Sequence, residues 1–330
     1  MRIALDAMGT DAAPTPEVAG AVAALEDAED DLEIVLVGDR DRIRQELERV
    51  SDYPSDRLHI HHAEERIEPT DAPALAVRRK QGSSIVVGLK LQKKGEVDAF
   101  VSAGSTGAVM AASLLILRPL PGVDRPAVGT LLPTSGPPVL MLDAGANVDC
   151  KPHHLFQFAQ LGNIYAQDMM DRDPPRVGLL NIGEEAEKGN ELAVEAFRLI
   201  SESSIHFVGN VEGREIINGS VDVLVCDGFV GNVLLKFYES VAEFIISLLR
   251  REIAHVDAEI RLDKVFRVLD YSEYGGAPLL GVNGVSIICH GESPPKAIRN
   301  AIGVAAQAVR SDMVAHVAGE LSGHHRAEAP

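Results

Sequence analysis

The sequence predicts an α/β protein built on a doubly wound, mostly parallel sheet flanked by helices, and three observations carry that expectation. Eight short apolar runs suit buried strands, at residues 3–5, 34–37, 99–102, 139–142, 177–181, 205–208, 221–226 and 285–289. Between them lie helical patterns at 16–28, 40–50, 106–117, 152–170 and 294–310, the last two with proline near the first turn. Six segments that follow apolar runs are rich in Gly, Asp, Asn and Ser, which is where open α/β sheets bind ligands.

Composition narrows the function classes. A chain of 330 residues with 46% hydrophobic and 24% charged residues folds as an ordinary globular protein. Its net charge of −18 argues against a nucleic-acid surface, which needs a basic stripe to meet phosphate backbone. Cys150, Cys226 and Cys289 form no CxxC pair and read as reduced thiols. The first residues enter a strand directly and no apolar run reaches spanning length, so neither a signal peptide nor a transmembrane helix is expected. A single large catalytic domain is expected over 1–318, with a flexible tail at 319–330.

One stretch interrupts the alternation. Residues 236–256 place Phe237, Val241, Phe244, Ile245, Leu248, Leu249 and Ile253 at helical spacing, and 257–269 continue with Ile260, Val265 and Phe266 beside Arg261, Lys264 and Arg267. A protruding helical segment near 236–269 is expected to pack against the core or a second subunit, or to lie on a membrane surface.

The chemistry is expected in six loops, read together as one polar ring: 6–11, 102–107, 143–149, 181–185, 227–232 and 290–291. Ser102, Gly104, Ser105, Thr106 and Gly107 stand between a strand and a helix, so backbone N–H groups and hydroxyls suit an anion, and phosphate is the natural occupant. The loop has neither the lysine of a nucleotide P-loop nor GxGxxG spacing. Candidate catalytic residues are Lys188, Asn232, His290, Asp227 and Asn147; candidate substrate-binding residues are Asp6, Gly9, Asp11, Asn181, Glu184 and Arg214. The acidic loop residues suit helix caps and tight turns better than a magnesium set, so no metal is expected. There is no GxSxG elbow.

These motifs resemble the PlsX family, the acyl-acyl-carrier-protein:phosphate acyltransferases. The resemblance rests on DAMG at 6–9, VSAGSTGAVMA at 101–111, LDAGANVDCKPHHLFQFA at 142–159, GLLNIGEEAEKGNEL at 178–192, FVGNVEGREI at 207–216, VCDGFVGNVLLK at 225–236 and YSEYGGAPLLGVNGVSIICHG at 271–291. Thr10, Ala12 and Ser105 stand where the family pattern has Gly, His and Asn. The resemblance implies transfer of a fatty acyl group from acyl carrier protein to inorganic phosphate, without a cofactor, and a fold like that of phosphate acetyltransferases and isocitrate and isopropylmalate dehydrogenases. It also implies a cytoplasmic homodimer held peripherally at the inner face of the membrane, handing its product to a downstream membrane acyltransferase.

Three other readings stay open on the residues: a coenzyme-A-dependent phosphate acetyl- or butyryltransferase, an NAD-dependent dehydrogenase of the isocitrate type, and a catalytically silent scaffold. An acidic carrier protein would need a basic patch. Arg78, Arg79, Lys80, Lys90, Lys93 and Lys94 form one in sequence, and Arg250, Arg251, Arg261, Lys264 and Arg267 form another that could meet anionic lipid.

Overall fold

The computed structural model describes residues 1–28, 31–50, 52–253 and 271–327. In chain order its strands are β1 (Arg2–Asp6), β2 (Glu33–Gly38), β3 (Leu58–His62), β4 (Ala99–Ser102), β5 (Ala127–Leu132), β6 (Val139–Leu142), β7 (Val177–Asn181), β8 (Phe207–Glu212), β9 (Val223–Val225), β10 (Ala277–Leu280) and β11 (Val285–Ile288). Its helices are α1 (Thr15–Asp27), α2 (Arg40–Leu47), α3 (Pro73–Arg79), α4 (Ser84–Lys93), α5 (Thr106–Ile116), α6 (Pro152–Met170), α7 (Glu191–Ser201), α8 (Gly228–Ile253), α9 (Pro295–Arg310) and α10 (Met313–Ala327). The chain divides into two compact units, Met1–Pro126 with Tyr274–Pro330, and Ala127–Glu273. Within the single domain expected over 1–318, each of the two units has strands and helices of its own.

In the first unit the strands run in the order β3-β2-β1-β4-β11-β10, all parallel except the β10–β11 pair. Ile3, Ala4 and Leu5 of β1 and Ala99, Phe100 and Val101 of β4 are fully buried, as helices on both faces of a parallel sheet require. Helix α1 packs on α9 because Gly20 leaves room for Ile298; a Cβ there would sit 2.7 Å from it. The chain winds from β1 outward to β3 and then returns to place β4 on the other side of β1. That reversal makes the carboxyl ends of β1 and β4 the place where a cleft opens.

The second unit runs β5-β6-β9-β7-β8, with only the β5–β6 pair antiparallel. Helix α6 packs on β6 and β9, and Gly162 takes the close approach to Val223 and Leu142. The carboxyl ends of β6, β9 and β7 lie side by side and carry Asp143, Asp227 and Asn181 into the loops.

The structure departs from the sequence expectation at several elements. Strands β3, β5 and β10 were not expected: β3 alternates Leu58 and Ile60 with histidines on an edge, and β10, antiparallel to β11, is short and carries Pro278. Strand β8 spans Phe207–Glu212 rather than 205–208. Helix α8 starts at Gly228, well before 236, and α10 is helical through Ala327, where a frayed tail was expected. The stretch 257–269, with Arg261, Lys264 and Arg267, lies outside the described residues.

Phe100 is fully buried against Gly88 of α4, where any Cβ would run into its ring. Truncation at Phe100→Ala leaves a cavity in the first unit and should lower unfolding free energy by about 3–5 kcal/mol. Urea denaturation of the purified variant checks it.

Candidate active site

The three loops of the first unit converge. Gly9 lies against the backbone of the second loop, so that a Cβ would sit 2.8 Å from the amide nitrogens of Ala103 and Gly104. The Asp11 N–H donates to the Gly291 carbonyl at 2.9 Å, which ties in the third loop.

Beneath this junction Asp6 is buried, accepting the Ser102 hydroxyl at 2.7 Å and the Met8 N–H at 3.0 Å. Burial pushes its pKa up; hydrogen bonds from Ser84, Ser102 and Met8 and the Arg66 charge pull the other way. The Ser102 oxygen in turn accepts the Gly104 N–H at 3.0 Å. Asp6 and Ser102 were expected to touch substrate, but both are spent inside the protein and act as supports.

Above them the helix opens. Ser105 occupies the N-cap of α5 without using its hydroxyl as a cap, and it is half-buried, while Thr106 is exposed. The first N–H groups of a helix have no intrahelical acceptor, so the turn combines those amides with these two hydroxyls, a set of donors whose chemistry suits an anion. Gly107 is close enough to Pro73 of α3 that a Cβ would meet the ring at 2.8 Å.

Three residues that sequence reasoning passed over complete this site. Arg66, just after β3, donates to the Thr10 carbonyl at 3.1 Å and lies 3.5 Å from that of Gly9, bringing a cation to the first loop. Ser84, at the start of α4, hydrogen-bonds Asp6. Glu17 is fully buried in the first turn of α1 and accepts both the Thr10 N–H at 2.6 Å and the Thr10 hydroxyl at 3.0 Å. The Gly-Thr-Asp tripeptide and the Ser-Ser dipeptide were the available signals, but partners 7 and 78 residues away leave no local pattern.

In the second unit Asp143 plays the part that Asp6 plays in the first. It is fully buried and accepts the N–H groups of Val128, Gly145, Ala146 and Asn147 and the Asn147 side-chain amide, at 2.6 to 3.2 Å. Burial still raises its pKa against those donors. Asn147, expected to be catalytic, is buried in this network; its carbonyl also accepts the Gly228 N–H at 2.8 Å.

The segment 227–232 is not a loop. Asp227 accepts the Val230 N–H at 2.9 Å and caps α8, so it is a helix cap, and Asn232 lies one turn inside the helix, exposed and beside Gly145. Asn181 braces the next loop, donating to the Lys188 carbonyl at 2.9 Å and accepting the Ile182 N–H at 2.8 Å. That leaves Lys188 exposed, with no ion pair among the described residues. Glu184 and Arg214 are exposed and 3.9 Å apart, and Arg214 pairs at 2.7 Å with Glu212. His290, exposed in the first unit, accepts the Glu292 N–H at Nδ1, which places the proton of the neutral ring on Nε2. Of the six segments expected to form a ring, three lie in each unit, and one of those in the second unit is the start of α8. The geometry joins all three in the first, and the 143–149 loop with the start of α8 in the second.

Both strand-end thiols are poor nucleophiles. Cys226 and Cys289 are buried, and burial pushes the first well above the usual thiol range and the second up to about 12.

These features define a mostly parallel α/β fold, and solved phosphotransacetylases share that fold. A phosphotransacetylase from Staphylococcus aureus superposes with a TM-score of 0.61 over 94% of both chains at 16% identity, and one from Streptococcus pyogenes does so with 0.61 at 18%. The likeness at that identity is one of fold. Sequence goes further: the family model described as "Fatty acid synthesis protein" matches residues 1–316. A phosphate acyltransferase of Moorella thermoacetica is 49% identical over 98% of this chain and 96% of its own, and one of Heliobacterium modesticaldum is 50% identical over 98% of each. The chain belongs to this phosphate acyltransferase family, as its loop motifs indicated, and is an acyltransferase.

The buried Glu17 gives the first loop a pH dependence. Burial raises its pKa from 4.5 to about 7, against the two Thr10 donors. A carboxyl that binds its proton more tightly folded than unfolded stabilises the fold fully at low pH and loses that contribution as pH rises through about 7. The shift corresponds to about 3 kcal/mol. Glu17→Gln cannot ionise, so it should lose less stability between pH 5 and 8 than the unmodified protein does. Urea midpoints at several pH values measure the difference, and parallel curves would refute it.

Proposed function

We propose that this chain transfers a fatty acyl group from acyl-acyl-carrier-protein to inorganic phosphate, releasing acyl phosphate for phospholipid synthesis. One observation carries the reading: in a member of a phosphate acyltransferase family, the open first turn of α5 presents uncommitted hydroxyls at Ser105 and Thr106 over a buried Asp6–Ser102 brace.

Phosphate is already an anion at neutral pH, so it attacks a thioester with less base assistance than water or an alcohol needs. Orientation is then the main task. The 102–107 turn holds phosphate with N–H groups and hydroxyls, aiming one oxygen at the thioester carbon. The new C–O bond forms, the C–S bond breaks, and the carrier thiolate leaves and takes up the proton that hydrogen phosphate brought. Lys188 and Asn232, both exposed in the second unit, are the groups there suited to anionic charge and to an amide hydrogen bond. Ser105 can serve phosphate where the family pattern has asparagine, because a hydroxyl both donates and accepts.

Transfer is direct. An acyl-enzyme on cysteine would need a thiolate, and the shifted, buried Cys226 and Cys289 do not supply one.

The surroundings are read the same way. Among the described residues no helix is long and apolar enough to cross a membrane. Helix α8 nevertheless exposes Val233, Phe237 and Phe244 to 56%, 66% and 67%, an apolar face suited to a homodimer contact or to peripheral attachment at the inner membrane face, from a cytoplasmic location.

Purified protein given acyl-acyl-carrier-protein and labelled phosphate should form a labelled, hydroxylamine-sensitive acyl phosphate, faster than with acyl-CoA; no labelled product at any phosphate concentration would defeat the proposal. Cys226→Ala and Cys289→Ala variants should each retain turnover. Loss of activity in a folded cysteine variant would restore the acyl-enzyme route.

A further inference from the structure

The span between Asp71 and Glu96 contains Arg78, Arg79, Lys80, Lys90, Lys93 and Lys94 and no acidic residue. In a chain with 49 acidic residues among 330, a stretch of that length would hold roughly three or four. Such a segment stands out electrostatically from a protein of net charge −18.

The fold turns this composition into a surface. Leu75, Arg78 and Arg79 stand at i, i+3 and i+4 on α3 and therefore share one face; all three are exposed, Leu75 to 47%. Gln81 follows the helix and donates to the Val77 carbonyl at 2.7 Å. Its side-chain oxygen accepts the Lys90 ammonium at 2.8 Å, so Lys90 is drawn back from α4 to the end of α3. Lys80 is occupied, pairing with Asp71 at 2.6 Å and donating to the Arg66 carbonyl at 2.9 Å. Arg78, Arg79 and Lys93 make no ion pair among the described residues. The face thus combines uncompensated cations with one apolar side chain, the composition that receives an acidic helix bearing an apolar residue.

Its position matters as much as its charge. Pro73, at the start of α3, is the residue packed against Gly107 of the 102–107 turn, and α3 packs along α5. A partner seated on α3 is held by the element that borders the anion site.

We propose that the Leu75–Arg78–Arg79 face of α3, with Lys90 beside it, is the docking surface for an acidic acyl-carrying protein that delivers the thioester. The inference rests on the proposed reaction and adds the place where the donor binds. Guanidinium groups suit the role because they pair bidentately with carboxylates and stay charged. The contact is electrostatic and exposed, so it acts on encounter and on KM, and salt weakens it.

The test compares the unmodified enzyme with Arg78→Glu/Arg79→Glu and with Arg78→Ala/Arg79→Ala, the second pair guarding against a folding defect from charge reversal near a helix end. Donors are acyl-acyl-carrier-protein and the same acyl group on free pantetheine. Reversal should raise KM for the carrier-bound donor by about tenfold or more, the alanine pair by less, with kcat and the pantetheine kinetics unchanged. Added salt should raise the unmodified enzyme's KM and narrow the gap. Normal turnover by the unmodified enzyme with no change of KM on reversal overturns the surface alone. Equal losses with both donors also overturn it, since they would locate the damage in the site. So does a loss confined to binding of phosphatidylglycerol vesicles, which would make the face a lipid contact. An unmodified enzyme that makes no product from the carrier-bound donor overturns the reaction itself.

Discussion

The first unit depends on one steric constraint: position 9 has no room for a side chain. With Gly9 pressed on the Ala103 and Gly104 amides, the turn after β1 and the turn after β4 become neighbours, and Asp6 comes to lie under both. Winding alone places two strand ends side by side; it does not make their loops touch. Contact at backbone distance leaves the Ser102 hydroxyl facing inward, and it frees Ser105 and Thr106 to face outward at the helix start. Stiffness at the floor and openness at the rim therefore have a common origin.

Each unit meets the same difficulty at its strand ends. Tight turns expose backbone N–H groups where little water reaches, and an unpaired buried donor costs on the order of 1–3 kcal/mol. A carboxylate at the last strand position or just after it answers the need, through Asp6 with Met8 and Ser102, and through Asp143 with four backbone donors. Burial works against the charge in both, and clustered donors offset it. The acids that look like metal ligands or catalysts in the sequence are for the most part architectural.

What could be read from the residues follows from how local the signal is. Strands β1 and β4 and helix α6 are continuous apolar or amphipathic runs, and α6 begins and ends where its proline and its periodicity place it. The turn at 102–107 was equally legible, because its glycines and hydroxyls sit within six positions. Strands β3, β5 and β10 escape because edge or antiparallel pairing lets them carry His, Thr or Pro. Glycines at 228 and 231 read as a loop, yet they serve close packing of the first turns of α8 on Asp143 and Asn147. Burial separates open side chains from supporting ones: Asn147 and Ser102 share the chemistry of Asn232 and Ser105, and only three-dimensional neighbours tell them apart. Arg66, Ser84 and Glu17 were invisible for a related reason, since their roles exist only once distant loops meet.

Residue 10 acquires a meaning from the acid beneath it. Where the family pattern has glycine, a backbone N–H alone could answer Glu17; here the threonine hydroxyl supplies a second donor to the same carboxyl. Two donors favour the ionised form and hold its pKa down against burial. Position 10 is therefore a point at which the proton affinity of Glu17 is set. Removing the hydroxyl, as in Thr10→Gly, would leave Glu17 one donor fewer and let it hold its proton to higher pH.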